Sequence, residues 1–444
     1  MEFKYRDINN YLNSFINYEN RNFFPYKKTL KLERVKHLLS VLKVPYNDLK
    51  VIHIAGTKGK GSVANFVSYI LANSGYQVGV YTSPHFQDFR ERIKVVKNNI
   101  CELIPKKDVI KIVEEFKPYL DKLRYTKRWG KISFFEVYTA IALKYFCQQN
   151  LDFVVLEVGL GGRLDATNVV KPLISVITHI GYDHTDKLGK TLKEIAYEKS
   201  GIIKTNVPVV TTTQRKEALK TILRRAKIKR SPLYILGKDF FFRNAKIKKD
   251  YTVFDFIFED LILNGLKIYL KGAHQIENAS LAIASLHILQ KRKIIENKLN
   301  FHQGVKKTFL PGRFEIVKEK PLIILDVAHN LSSFVALKNS LGTYFPSKKI
   351  ILVFAASKDK DIKRMLKTIP YNRIIVTKFN NPRAFLPKEI KRICNLKDAI
   401  LTDNIKEALN KALSYYNQDN LILITGSFFI VAEVKQLIKS NDRY

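Results

Sequence analysis

Residues 51–71 read VIHIAGTKGKGSVANFVSYIL. The stretch opens as a β-branched strand, turns on Gly56, Gly59 and Gly61, and resumes as a helix from Ser62. Strand, glycine turn and helix in that order make an anion cradle. The helix start presents unpaired N–H groups and the positive end of its dipole, and glycines let the backbone close on a phosphate. Lys60 would reach the outer phosphates and Ser62 a magnesium ion. The spacing departs from G-x-x-x-x-G-K-[ST], since Gly56 stands closer to Gly59-Lys60 and Gly61 separates the lysine from Ser62.

Other apolar runs of the same kind flank it: QVGVYT (77–82), FVVLEV (153–158), LISVITHI (173–180) and VPVVTT (207–212). They are continuous rather than alternating, as strands covered on both faces require. Helical patterns lie between them, among them Ser62–Ser74, ended by Gly75, and Thr191–Ile203. That alternation predicts an α/β fold with a doubly wound, mainly parallel sheet of the P-loop ATPase kind. A second series follows Pro311: PLIILDVAHN, KKIILVFAAS, NRIIVTKF and NLILITGS. It predicts a smaller, Rossmann-like α/β domain, with domains at 1–297 and 298–444 and a linker near 296–312. No fixed-period repeat is visible.

Size and composition set limits. At 444 residues the chain exceeds one ordinary core. There is no uninterrupted apolar run of roughly 18 residues to span a membrane, and MEFKYRDINNYL carries charges where a signal peptide needs an apolar stretch. Cys101, Cys147 and Cys394 match neither a disulfide frame nor a metal spacing and fit a reducing cytoplasm. The balance of 77 Lys+Arg against 40 Asp+Glu gives +37. Such a field attracts anions, but lysines spread along every segment read first as a solvated surface. No RNP-like, zinc-finger or basic-zipper pattern supports a nucleic-acid partner.

Candidate chemistry falls at successive strand ends, which form one crevice in an open α/β sheet. TSPHFQDFRERI supplies Ser83 and His85, ISFFE supplies Glu136, and LEVGLGGRLDATN supplies Glu157, Arg163 and Asp165. THIGYDHTDKLGKTLKEIAYEKSGIIK supplies Asp183, His184 and Lys199. With LKGAHQIENA, PGRFE, LDVAHN and TGS, these stretches resemble, in order, the folylpolyglutamate synthase and dihydrofolate synthase family of the Mur-ligase superfamily. The resemblance runs from about residue 30 to residue 430, weakly over 212–266 and 380–420.

The resemblance implies an ATP-dependent ligase that joins L-glutamate to dihydropteroate, to folates, or to both, through an acyl phosphate. It implies that Lys58, Gly59, Lys60, Gly61 and Ser62 wrap the triphosphate, that Ser83 and Glu157 hold one Mg2+, and that His184 holds a second. Lys199 would be carbamylated, because an ammonium cannot ligate a metal and a carbamate can. Asn278 would contact adenine, Arg313 would reach the phosphates from the linker, and Asp326 and His329 would face the nucleotide from the smaller domain. Lys60, Glu157, His184 and Lys199 would carry the catalysis.

Ser133, Phe134, Phe135 and Glu136, with Leu164, Asp165 and Ala166, would receive the pterin. Asp165 would accept its N–H donors, and either phenylalanine would stack on the ring or pack in the core. GGRLDATN looks more like the relatives that use dihydropteroate, which favours both activities over chain elongation alone. The stretch VFAASKDKDI departs from the family's glycine- or alanine-rich loop and is expected to touch none of these ligands. The family inclines to a monomer with small-molecule partners and neither nucleic acid nor membrane. A Mur-type ligase of cell-wall precursors and a basic nucleotide-binding protein without ligase chemistry are the competing readings.

Overall fold

The computed structural model describes residues 2–20, 24–124 and 130–440. Among these residues, eight strands form the larger sheet: β1 (Val51–Ala55), β2 (Val78–Tyr81), β3 (Ile93–Lys97), β4 (Ile100–Leu103), β5 (Phe153–Glu157), β6 (Ile174–Ile177), β7 (Val209–Thr211) and β8 (Leu233–Ile235). Their order is β4-β3-β2-β5-β1-β6-β7-β8. Neighbours from β2 to β8 run parallel, while β3 and β4 extend one edge as antiparallel strands.

The continuous apolar runs are explained by burial on both faces. Ile52 and Ile54 of β1, with Phe153 and Val155 of β5, enter one core, shared with Val63, Phe66 and Ile70 of the Lys60–Ala72 helix. Val51, Val154 and Leu156 point the other way, into a core shared with Val137, Ile141 and Phe146 of the Phe134–Gln148 helix. At about 25 cal/mol per Å² of apolar area, this two-sided burial dominates the stability of the sheet.

A three-stranded antiparallel sheet follows: β9 (Phe241–Ile247), β10 (Thr252–Phe258) and β11 (Leu261–Ile268), in the order β11-β10-β9. Alternation on β10 turns Phe254, Phe256 and Phe258 into the first core, against the His274–Lys291 helix. The Phe301–Lys307 helix also belongs to this unit. Phe301 and Val305 join the same core, and a Cβ on Gly304 would stand 2.3 Å from Ile70 Cα.

The third sheet comprises β12 (Glu315–Glu319), β13 (Leu322–Leu325), β14 (Lys349–Phe354), β15 (Arg373–Val376), β16 (Ile400–Leu401) and β17 (Asn420–Thr425), ordered β12-β13-β17-β14-β15-β16. Only β12 is antiparallel to its neighbour. Ile323, Leu325, Ile351 and Val353 pack on one side, and Leu322, Ile324, Leu352 and Phe354 on the other. Phe86, in the loop after β2, stacks on Phe428 of the final helix with 4.0 Å between centroids. The strand ends of the two parallel sheets thus share one crevice.

Candidate functional site

The crevice is built around the turn after β1. Gly56 has φ +151, and a Cβ there would lie 1.8 Å from Thr178 Oγ1 at the end of β6. Gly59 has φ +87, and a Cβ there would lie 2.3 Å from Asn278 Oδ1. Neither position admits a side chain, so the sequence must be glycine for the turn to close. The turn is pinned to the β6 end: Thr57 N donates to His179 O (2.9 Å) and Thr178 Oγ1 to Lys58 O (2.6 Å). Gly59 is the N-cap of the Lys60–Ala72 helix and supplies no side-chain acceptor, so the first-turn N–H groups stay directed into the crevice. The helix begins at Lys60, two residues before the expected Ser62.

Cations gather on this turn. Lys60 Nζ stands 3.9 Å from Glu157 Oε1, at the end of β5, and Ser83 N donates to Glu157 Oε2 at 3.2 Å. Burial raises the Glu157 pKa, against the pull of Lys60, the Ser83 N–H and Arg313. Lys199 closes the Leu192–Lys199 helix, whose start Thr191 and Glu194 fix as a capping box. Its Nζ is buried and donates to Gly56 O at 2.8 Å. Burial, with Lys60 nearby, lowers its pKa to about 7. Burial likewise brings Lys58 down to about 8, with Arg313 adding to the shift and Asp183 opposing it.

From the other sheet, β13 delivers Asp326 and His329. Asp326 accepts from Phe314 N and Ala328 N, both at 2.8 Å, which orders the turn carrying Arg313. His329 Nδ1–H donates to Val327 O at 2.9 Å. Asp183 sits where the sheets meet. Lys360 Nζ is 4.0 Å from Asp183 Oδ1, and Asn330 Nδ2 is 3.5 Å from Asp183 Oδ2. Burial opposes ionisation of Asp183, but His184, His329, Lys360 and Lys199 outweigh it and hold the carboxyl well below the usual range. Burial lowers the His184 pKa to about 3, against the pull of Asp183.

The structure therefore brings Lys58, Gly59, Lys60, Gly61, Ser62, Ser83, Glu157, His184, Lys199, Asn278, Arg313, Asp326 and His329 to one crevice. Asn278 is buried against Gly59, with its amide donating to Gln275 Oε1 at 3.0 Å. The VFAASKDKDI stretch borders the crevice: Lys360 Nζ lies 4.0 Å from Asp183 Oδ1, and its charge acts on His184 and His329.

The expected pterin residues behave differently. Asp165 accepts from Leu160 N (2.9 Å), Thr167 N (3.0 Å) and Thr167 Oγ1 (2.6 Å), so its carboxylate closes its own loop rather than offering acceptors outward. Glu136 binds Ser133 N (2.7 Å), Ser133 Oγ (2.8 Å) and the buried Arg34 guanidinium (2.7 Å). Phe134 and Ala166 are core residues. Phe135 and Leu164 keep partial exposure, with Phe135 packed on Gly159 and 5.9 Å from Tyr81.

A network absent from the expectations joins the N-terminal segment to both sheets. Arg92 donates to both Glu19 oxygens (2.9 and 2.7 Å) and to His85 Nδ1 (2.7 Å). Arg383 donates to Glu19 O and, at 2.8 Å, to Asp359. The quoted motif DFRERI contained Arg92; nothing local in the sequence pointed to Glu19 or Arg383.

A strand-turn-helix anion cradle facing a second parallel sheet, with cations from both, defines a Mur-type ligase. The Mur ligase middle domain matches residues 131–286, and the Mur ligase glutamate ligase domain matches residues 312–428. The chain is 35% identical over 412 residues to the dihydrofolate synthase/folylpolyglutamate synthase of Bacillus subtilis, covering 92% of this chain and 95% of the relative. A folylpolyglutamate synthase structure from Thermotoga maritima is 36% identical with a TM-score of 0.84, covering 99% and 97% of the two chains. A folylpolyglutamate synthase complex with AMPPCP and folate is 30% identical with a TM-score of 0.83, covering 98% and 99%. The chain belongs to the dihydrofolate synthase/folylpolyglutamate synthase family.

Proposed function

We propose that this enzyme uses ATP to join L-glutamate both to dihydropteroate and to folates, combining dihydrofolate synthase and folylpolyglutamate synthase activities. The observation that carries the reading is the convergence of Lys58, Lys60, Lys199 and Arg313 on one glycine turn between two sheets. Two anions, a triphosphate and a carboxylate, repel one another, and concentrated fixed cations in a desolvated crevice offset that repulsion.

In the proposed sequence a carboxylate oxygen of the acceptor attacks the γ-phosphorus of ATP, and the bond to ADP breaks. The glutamate amine then attacks the acyl carbon, phosphate leaves, and the amide forms with loss of the amine proton. First-turn N–H groups from Lys58 to Ser62 and the Lys60 ammonium hold the triphosphate. Arg313 reaches it from the second domain, Asn278 meets adenine, and Asp326 and His329 order the facing wall.

The donor set fits magnesium. Glu157 is a buried carboxylate with one cation at 3.9 Å, and Ser83 adjoins it. We assign Ser83 and Glu157 to one ion and His184, beside Asp183, to a second. Magnesium supplies charge neutralisation between phosphate and carboxylate. Lys199, buried at Gly56, is proposed to be carbamylated, which turns a donor into a metal-facing anion. Intact-mass measurement after equilibration in bicarbonate is expected to show the adduct, and Lys199→Arg to lack it.

Phe135 and Leu164, the half-buried members of the pterin set, would touch the ring. Ser133, Phe134, Glu136, Asp165 and Ala166 would shape its pocket. We place the end of the first domain after the Phe301–Lys307 helix, which packs on that unit, and the hinge within 308–312, so that the boundary falls in the last part of the expected 296–312 linker rather than at 297/298. No described helix is long and apolar enough to cross a membrane. A monomer in the reducing cytoplasm is proposed, and the free thiols of Cys101, Cys147 and Cys394 accord with that compartment.

Phosphate release with glutamate and ATP, comparing dihydropteroate with tetrahydrofolate as acceptor, tests the whole reading. Release with both is expected. Release with tetrahydrofolate alone would reduce the enzyme to chain elongation, and release with neither would overturn the proposal.

A further inference from the structure

Away from the crevice, the two-residue turn between β10 and β11 carries Glu259 and Asp260, and it hangs over the end of the His274–Lys291 helix. One carboxylate oxygen from each and a ring nitrogen of His287 lie within 4.8 Å of one another. His287 is 9 residues, about 13 Å along the helix, from Asn278, so the cluster is distinct from the ligase site.

Acidic groups at a surface turn carry little by themselves. The informative group is His287. It is 6% exposed, and its ring is edge-on to Phe258 at 5.4 Å between centroids. Among the described residues, neither of its nitrogens has a hydrogen-bond partner. Asp260 Oδ1 is 3.6 Å from Nε2, beyond hydrogen-bond reach. A buried imidazole left without partners is destabilising, and such groups call for an explanation.

A metal ion supplies one. Two ligand atoms on a tetrahedral zinc, each at about 2.0–2.1 Å, stand about 3.3 Å apart. The observed 3.6 Å needs only a small adjustment of an exposed carboxylate. The cationic preference of the pair is already visible, because the Lys291 ammonium lies against Glu259 and 3.7 Å from Asp260. Lys291 is 49% exposed and can withdraw into solvent. One imidazole with two carboxylates suits a borderline ion such as zinc better than magnesium, which prefers an oxygen shell.

We propose that Glu259, Asp260 and His287 form a peripheral binding site for a zinc-type divalent cation, with solvent completing the coordination. Bound there, the ion fastens the β10–β11 hairpin to the His274–Lys291 helix, and Lys291 competes with it for the carboxylates.

The test is a calorimetric titration of Zn2+ into the full chain with magnesium in excess. The wild type is expected to take up one more equivalent than the variant combining Glu259→Gln with Asp260→Asn, both exposed and remote from catalysis. Zinc should also raise the wild-type Tm more than that of the variant. Lys291→Met should tighten the additional equivalent about two- to fivefold, the worth of one exposed ion pair. Equal stoichiometry in wild type and double variant would overturn the site. Unchanged or weaker binding in Lys291→Met would overturn the competition.

Discussion

The glycine turn after β1 and the loop from Gly159 to Val169 end neighbouring strands of one sheet, yet they spend their polar groups in opposite ways. At the turn, Lys58, Lys60 and Lys199 are gathered at an energetic cost: burial first, then Arg313 at Lys58 and Lys60 at Lys199, lowers the pKa of Lys58 and Lys199. In the loop, Asp165 gives its oxygens to Leu160 and Thr167, and the adjoining Glu136 gives its own to Ser133 and Arg34. Like charges held together await a ligand of opposite sign, whereas satisfied charges hold a shape. We read the cations of the turn as the chemistry and the carboxylates of the loop as the scaffold that shapes a pocket, although both looked equally reactive as sequence.

That contrast can be broken most forcefully at Glu136. Glu136→Ala removes the carboxylate that faces the buried Arg34 guanidinium, leaving that charge uncompensated by Glu136, and is expected to remove about 3–5 kcal/mol of stability in denaturant titration. A stable variant with a raised KM for dihydropteroate would instead make Glu136 a substrate contact. Lys60→Ala should do the reverse. It is expected to lower kcat about 10²–10³-fold, as loss of one preorganised electrostatic group does, with Tm nearly unchanged. Parallel loss of folding would erase the distinction between the regions.

Asp165→Ala removes a loop cap, and a loss of about 2 kcal/mol of stability is expected by chemical denaturation. Asp359 sharpens the comparison at the domain interface. Burial opposes its ionisation, yet Lys360 and Arg383 prevail and bring its pKa from 3.8 to about 2. A carboxyl with a depressed folded pKa stabilises the protein above its unfolded value, and that share is lost as pH falls through the folded value. The stability difference between wild type and Asp359→Asn should be about 1 kcal/mol, after allowance for solvent screening, at pH 5 and above. It should shrink between pH 4 and pH 2. A difference that does not vary with pH would remove this ion pair from the interface.

Much of the fold was legible because parallel strands buried on both faces cannot be written except as continuous apolar runs. The five runs named around Gly56 became β1, β2, β5, β6 and β7, and the four after Pro311 became β13, β14, β15 and β17. The sheet of β9, β10 and β11 escaped notice, because β9 is exposed along nearly its whole length and carries no clear alternation. Lys360 escaped for another reason. Its partner Asp183 lies far away along the chain and meets it only when the two sheets face each other.

By itself the sequence determined which strands are buried on both faces, the glycines that alone can occupy the turn, and the residue types able to neutralise a phosphate. Backbone conformation and hydrophobic patterning act over a few residues, so they are written locally. Tertiary structure decided which carboxylates remain available and which are consumed, and which cations meet across the crevice. Those outcomes depend on desolvation and on partners distant in sequence, and neither exists until the chain has folded.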